Sequence, residues 1–519
     1  MLEFGPGRRT VWDLIEQRAA LSPDRLWAVD ERGTNVTFSE LLQWSERVAA
    51  GLSDLGVGAD AVVAWQMPTW IEALVLSSAL SRLDVTQVPL LPIYRERELS
   101  HILTSTGATW YVAPREWNGT NFAELLDRAL GPDPAFHQLW VNSERELPLG
   151  DPGTLAPWPS GIGEGKEVRW IYHTSGTSAA PKGARHSDGS VIASTWGWAQ
   201  AGRLDKHDVT ALVFPVTHIG GANLHQASLL TGCSTVIVEQ FDSRTIDVLR
   251  DGGVTLPGAG QVFFLKYLEE QRRRDTGLLF PRARAYATGG APKSPELHYL
   301  LKREMAAGML TSYGMTECPL AATCPPDAPD EKIAHTEGLP NLGITLVVVH
   351  EDGRDVPRGS VGEIRVKGDQ LFQGYVDEEL NADAFDDRGF FRTGDLGVLD
   401  DDGYLAVVGR IKDVIIRKGE NISAREIEDL LFLHPDVREV AVVGIPDAEV
   451  GERCCAVVVP ERVGSEVDFD ALAAFLRNEG LMVQKIPELW QQLQELPRNG
   501  QGKVLKAELR SQYAGIVKA

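Results

Sequence analysis

The sequence predicts an α/β protein, with a large N-terminal domain of parallel-rich sheets flanked by helices and a small α+β C-terminal domain. Three observations carry this prediction. Strand-like and helix-like patterns alternate through the first 110 residues, as they do in a parallel sheet with crossover helices. Near residue 410 the texture changes, and a hairpin pattern leads into a segment with strands and helices of its own. The chain of 519 residues also has the length of about three domain-sized units, enough to bury a sizeable core.

The elements follow in order. Thr37-Phe38-Ser39-Glu40 has the spacing of a capping box, opening a helix with apolar residues at Leu41, Val48, Leu52 and Leu55 that Gly56 stops. Residues 61–65 read as a strand, 71–83 as a helix and 88–92 as the next strand. A Pro/Gly/Ser-rich loop at 148–165 precedes a strand at 168–172 and a helix at 187–201, and 324–331 is a second proline-rich loop. The run Asp400-Asp401-Asp402-Gly403 lies between two strand-like segments and lacks the spacing of a calcium loop, so it predicts a hairpin turn. Beyond it come a helix at 423–433, strands at 440–444 and 454–460, and a helix at 468–479. The boundary is placed at Arg410–Asp413, separating residues 1–410 from 411–519.

Composition narrows the function by exclusion. Fifty-one basic against 73 acidic side chains give a formal charge of −22, which argues against a nucleic-acid or anionic-membrane partner. The five cysteines (Cys233, Cys318, Cys324, Cys454 and Cys455) form neither a disulfide framework nor a zinc-ligand pattern, which fits a reducing cytosol. The N-terminus has no apolar signal core, and no run of about 18 apolar residues occurs. The expectation is a soluble, cytoplasmic protein with no integral membrane segment.

The strongest chemical signal is the run from His173 through Thr174, Ser175, Gly176, Thr177, Ser178, Ala179, Ala180, Pro181 and Lys182 to Gly183, between a predicted strand and a predicted helix. Small hydroxyl and glycine residues let backbone amides and hydroxyls approach phosphate oxygens, and the lysine adds a point charge. Pro181 stands where a Walker A loop needs glycine, so it is not that motif. Further along come Gly289-Gly290-Ala291-Pro292, Tyr313-Gly314-Met315-Thr316-Glu317, Thr393-Gly394-Asp395, Gly409-Arg410-Ile411-Lys412-Asp413, Lys418-Gly419-Glu420-Asn421-Ile422-Ser423 and Pro497-Arg498-Asn499-Gly500-Gln501-Gly502-Lys503.

These seven segments, in this order, resemble the signatures of the adenylate-forming superfamily, the acyl-CoA synthetases, adenylation domains and firefly luciferase, and the resemblance spans residues from about 10 to 510. It implies ATP, Mg²⁺ and coenzyme A as cofactors. It also implies a phosphate-binding role for Thr174, Ser175, Gly176, Thr177, Ser178 and Lys182, and an adenine-side position for Gly290, Ala291 and Pro292. Tyr313 would stack on adenine, with Gly314 and Met315 beside it; Thr316 would touch phosphate and Glu317 would hold Mg²⁺. Asp395 and Arg410 would bind the ribose, Lys412 would be the hinge of a mobile C-terminal lid, and Lys418, Gly419 and Glu420 would flank the pantetheine channel. Thr316, Glu317 and Lys503 are the expected catalytic residues. Lys503 bridges carboxylate and α-phosphate in this reading, an assignment that rests on its flanking pattern, since a lone lysine near a C-terminus is usually a solvated charge.

The chemistry agrees, because joining a carboxylate to the α-phosphate brings two anions together, and positioning with charge neutralisation does most of the work. The sequence departs from the family pattern at Ser178, Ala179 and Lys418. Ala179 motivates one alternative, a catalytically impaired nucleotide-binding pseudoenzyme. The other alternative is a stand-alone adenylation enzyme that loads a carrier protein. A carboxylate–CoA ligase is favoured, because Phe214-Pro215-Val216-Thr217 carries no Asp for an amino-acid ammonium group and only 16 residues follow Lys503. His218, Gly220, Gly221, Gly290 and Cys318 are expected to line the acyl pocket, the glycine pair leaving room for a medium-to-bulky apolar acid of fatty, alicyclic, aromatic or steroid type. Trp196 and Trp198 read equally well as pocket wall or as core. The partners are small molecules, with a homodimer left open. Despite the acidic total, short basic segments surround Lys182, Arg410 and Lys503, where anionic cofactors are expected.

Overall fold

In the computed structural model, residues 10–516 are described apart from 132–135, 159–164, 166, 175–180, 243, 275, 291–292, 419, 448, 463 and 500–502. The central six-stranded sheet is built on three parallel strands, Val62–Trp65 between Thr86–Pro89 and Trp110–Pro114, with the helix Ile71–Arg82 as a buried crossover. Val168–Thr174 adds a further parallel strand, and Lys182–Ser187 folds back on it antiparallel with Lys182 opposite Thr174. A second sheet runs Val209–Leu212, Ser234–Ile237 and Leu26–Asp30 in parallel. The capping box forms as expected: Thr37 accepts from the Glu40 amide, and the Glu40 carboxylate accepts from the Thr37 amide. The helix it opens spans Phe38–Asp54, and Leu55, expected on its apolar face, lies beyond it and is exposed. Trp12, Trp27 and Trp65 are fully buried in the core between these layers. Trp196 joins that core and Trp198 a neighbouring cluster with Leu204, Leu256 and Leu310, so both tryptophans take their core reading.

Residues 344–410 add a sheet of a different kind to the parallel-rich framework, as the hairpin expected at Asp400–Gly403 requires. Strands Ile344–Val349, Gly362–Gly368, Phe391–Leu399 and Leu405–Arg410 form a wholly antiparallel sheet. The connection at 400–404 is too short for a crossover, so its strands can only return antiparallel. The acidic run there is a turn: Lys332 clamps Asp400 and Asp402 at 2.5 and 2.8 Å, and the Tyr404 amide bonds the Asp400 carboxylate at 2.8 Å.

Past Val414 the strands belong to a separate sheet. Val437–Asp447 and Gly451–Pro460 form its long antiparallel centre, with Leu489–Gln492 parallel beside the latter. Helices Ala424–Leu431 and Phe469–Asn478 cover one face through Ile427, Leu431, Leu472 and Leu476, and Lys506–Tyr513 covers the other through Leu509 and Tyr513. Cys454 and Cys455, adjacent on a strand, feed opposite faces of this sheet. All five cysteines are buried and unpaired. Among the described residues, no helix is long and apolar enough to cross a membrane.

Candidate functional site

Three of the sequence motifs lie at the C-terminal ends of parallel strands, where α/β sheets bind ligands. Thr174 ends one such strand and Gly289 another, the latter paired with Ser312 on Met309–Met315. Gly290 follows with nothing within 4 Å of the place a Cβ would occupy. Met315 pairs with Cys318 across a hairpin whose tip is Thr316 and Glu317. Gly314 is obligatory there, because a Cβ would lie 1.9 Å from the Pro319 carbonyl oxygen.

Three residues lock together beside that hairpin. The Tyr313 hydroxyl donates to one oxygen of Asp395 at 2.8 Å, and the Arg410 guanidinium donates to the other at 2.6 Å. Asp395 is buried, and its backbone amide donates to the Thr393 hydroxyl at 3.1 Å. Burial and the Asp395 charge raise the Tyr313 phenol well above its usual range, so it stays a donor. Lys503 reaches this cluster from the small domain, its amide held by the Asn499 side chain at 2.9 Å. Burial and the nearby Arg410 lower the pKa of the Lys503 ammonium, against the pull of Asp395 and Asp413.

Glu317 has a partner that the sequence did not announce. The Tyr375 hydroxyl donates to its Oε1 at 2.6 Å, and the Lys182 ammonium lies 5.2 Å from the centre of the same Tyr375 ring. One buried tyrosine therefore touches both the expected metal ligand and the expected phosphate lysine. Thr316 is anchored through its carbonyl, which accepts from His186 Nε2 at 2.8 Å, while Nδ1 faces Ser190 Oγ at 3.0 Å. Burial lowers the His186 pKa to about 4, so the ring is neutral at pH 7. No sequence signal pointed to either residue, since each works through a contact 58 or 130 positions away.

Among the described residues no group of three or more His, Cys, Asp or Glu side chains could hold a metal ion. A single carboxylate suits Mg²⁺ carried in on phosphate oxygens, which keeps most of its ligands from substrate and water.

The residues expected at the acyl pocket are closely packed. His218 caps the helix Ile219–Thr231, its Nδ1 accepting from the Gly220 amide at 3.2 Å, and its ring meets Phe214 edge-on at 6.1 Å. Burial lowers its pKa to about 4. A Cβ on Gly221 would lie 2.3 Å from the Val216 carbonyl oxygen, and one on Gly220 would meet Phe214 and His218 at 3.1 Å. The glycine pair thus lets the start of the helix pack closely on the preceding loop. Cys318 exposes no surface, is packed with Ala184, Phe372 and Tyr375, and has its thiol pushed up to about 12 by burial, so it is a core residue.

Lys412 lies exposed in the short turn Ile411–Asp413 between the two domains' sheets, its carbonyl 3.4 Å from the Arg510 guanidinium. Lys418 has left-handed backbone, with φ of 51°, and its amide donates to the Val450 carbonyl at 2.7 Å. Glu420 opens the strand Glu420–Ser423. Ser175, Gly176, Thr177, Ser178, Ala179, Ala291, Pro292 and Gly419 lie outside the described residues.

The chain matches the family model of AMP-binding enzymes over residues 15–376 and the model of the AMP-binding enzyme C-terminal domain over 426–503. It is 30% identical to a medium-chain fatty-acid–CoA ligase of Escherichia coli, over 97% of this chain and 90% of that one. It is equally 30% identical to a long-chain fatty-acid–CoA ligase of Mycobacterium tuberculosis, over 97% and 98%. Crystal structures of MatB from Rhodopseudomonas palustris, 27% identical, superpose over 98% of this chain and 99% of theirs, at a TM-score of 0.86 with ATP bound and 0.76 without ligand. With both models matched in order and the nucleotide-side residues brought together, the chain belongs to the AMP-binding enzyme family.

Proposed function

We propose that this enzyme is an AMP-forming carboxylic acid–CoA ligase acting on medium-to-bulky apolar acids, with the large domain ending at Arg410 and the lid beginning at Ile411. The convergence of Tyr313, Asp395, Arg410 and Lys503 from two domains carries the reading. ATP, Mg²⁺ and CoA are the cofactors of this chemistry. In the first step the acid's carboxylate oxygen attacks the α-phosphorus of ATP, a P–O bond to pyrophosphate breaks, and acyl-AMP forms. In the second, the CoA sulfur attacks the acyl carbon and AMP leaves.

The carboxylate is already ionised at pH 7, so the first step needs charge neutralisation and no general base. Lys503 would hold the carboxylate against the α-phosphate, and burial is the main cause of its depressed ammonium pKa. Lys182 and the loop after Thr174 would hold the departing pyrophosphate. Asp395 and Arg410 present an acceptor and donors to the ribose hydroxyls, with Tyr313 against the adenine. Glu317, oriented by Tyr375, would hold Mg²⁺, which supplies neutralising charge to the phosphate oxygens.

The apolar acid has two supports. Phe214–Leu224 contains no charged residue, so an ionised tail there would stay unpaired. Two relatives are also named for fatty acids. A library of carboxylic acids, assayed for AMP and thioester with ATP, Mg²⁺ and CoA, tests the reading. Highest kcat/KM on a C8–C16, alicyclic or aromatic acid is expected; highest kcat/KM on acetate would refute the substrate class, and absence of thioester across the library would refute the ligase.

A further inference from the structure

Large domain and lid meet a second time, away from the nucleotide residues. Lys293, 5% exposed, donates to the carbonyls of Ala334 and Thr336 at 3.0 Å each and lies 3.8 Å from Glu337. One Glu337 oxygen accepts from the Val407 amide at 2.7 Å, and the other lies 3.5 Å from the guanidinium of Arg425. Arg425 stands in the first turn of the lid helix Ala424–Leu431. It also donates to the Val407 carbonyl at 2.5 Å and lies 3.5 Å from Asp429, one turn along. Ser423, the cap of that helix, donates to the Val408 carbonyl at 3.1 Å.

We propose that Arg425 and Glu337 are positioning residues for adenylate formation: their contact selects the lid orientation that brings Lys503 to Asp395 and Arg410. Neither residue touches the reacting groups. A contact present in one of two orientations shifts the population toward that one by its own free energy. The orientation seen here superposes better on the ATP-bound relative than on the same relative without ligand.

The charge arrangement also lets the contact release. When the lid turns, Glu337 keeps Lys293 and the Val407 amide, while Arg425 leaves with Asp429. Neither domain strands an isolated buried charge, which is what makes breaking most buried ion pairs costly. The interaction works as a reversible latch rather than a weld.

The inference rests on the two-step ligase reaction proposed above, and the test separates the two. With an accepted acid, Arg425→Gln and Glu337→Gln are each expected to lower acid-dependent ATP–pyrophosphate exchange by roughly 10-fold at saturating substrate. Thioester formation from supplied acyl-AMP and CoA is expected to stay unchanged or rise. The double variant should be no slower than either single one, because both changes remove one contact, and Arg425→Lys should recover part of the loss. Equal loss in both half-reactions by variants that melt near wild type, no loss in either, or multiplicative losses in the double variant would overturn the latch. Wild type failing to make thioester would count instead against the ligase reading.

Discussion

On the large-domain side of the site, Tyr313, Asp395 and Arg410 hold one another through bonds of 2.6–2.8 Å, and Tyr375 fixes Glu317 at 2.6 Å. On the small-domain side, the Lys503 amide is held by the Asn499 side chain, in a loop that Arg498 ties to Glu439. The first half is a network within one domain; the second comes from a separate domain, the lid of the proposal above. A two-step enzyme can use that contrast, since the nucleotide stays put while a different lid surface is presented for each step.

The contrast gives a ranked set of predictions. Lys503→Ala is expected to lower acyl-AMP formation by roughly 10²–10³-fold while largely sparing thioester formation from supplied acyl-AMP. Comparable loss in the second step would dissolve the division of labour.

Acid should separate the two bodies next. Burial lowers the pKa of His173 to about 3 and of His186, His218 and His225 to about 4, and all four lie in the large domain. The lid has a single histidine, His434. Above about pH 7 these groups are neutral in both folded and unfolded chains and stability is flat. Between pH 6.5 and 4 only the unfolded chain takes up their protons, so stability falls by about 1.4 kcal/mol per group per pH unit. By pH 5 the loss is about 8 kcal/mol, comparable with a whole domain's stability. Calorimetry from pH 7.5 to 5 should show the large-domain transition collapsing before the lid's.

Tyr375→Phe keeps the ring beneath Lys182 and removes the hydroxyl from Glu317. A buried acceptor left without its donor costs about 1–3 kcal/mol, so adenylation should slow about 10-fold with a raised Mg²⁺ requirement, read from Mg²⁺ titrations of both proteins. The smallest effect is expected at Lys418→Gly, which relieves a left-handed non-glycine residue and should stabilise the lid by about 1 kcal/mol, measured by denaturant unfolding.

What was readable in the sequence was local. The capping box at Thr37, the hairpin turn at Asp400 and the motif residues from Thr174 to Lys503 each announce themselves within a few positions, and the structure brings Tyr313, Asp395 and Arg410 into contact. What was hidden was contact between distant segments. Nothing near Tyr375 says that it reaches Glu317, and nothing near Arg425 points to Glu337. The close approach of the Val216 carbonyl to Gly221 was hidden for the same reason, being a matter of tertiary packing. Cys318, a motif neighbour, is likewise turned entirely into the core.

The hairpin tip at Gly314 constrains how this enzyme can diverge. With the Pro319 carbonyl oxygen 1.9 Å from where a methyl would go, even alanine would wedge the strands apart and carry Thr316 and Glu317 out of place. Drift at that position is closed, so glycine there and the placement of Thr316 and Glu317 stand or fall together. Gly221 is closed in the same way, with the Val216 carbonyl oxygen 2.3 Å from where its methyl would go, so change in either segment has to come at the neighbours of these glycines.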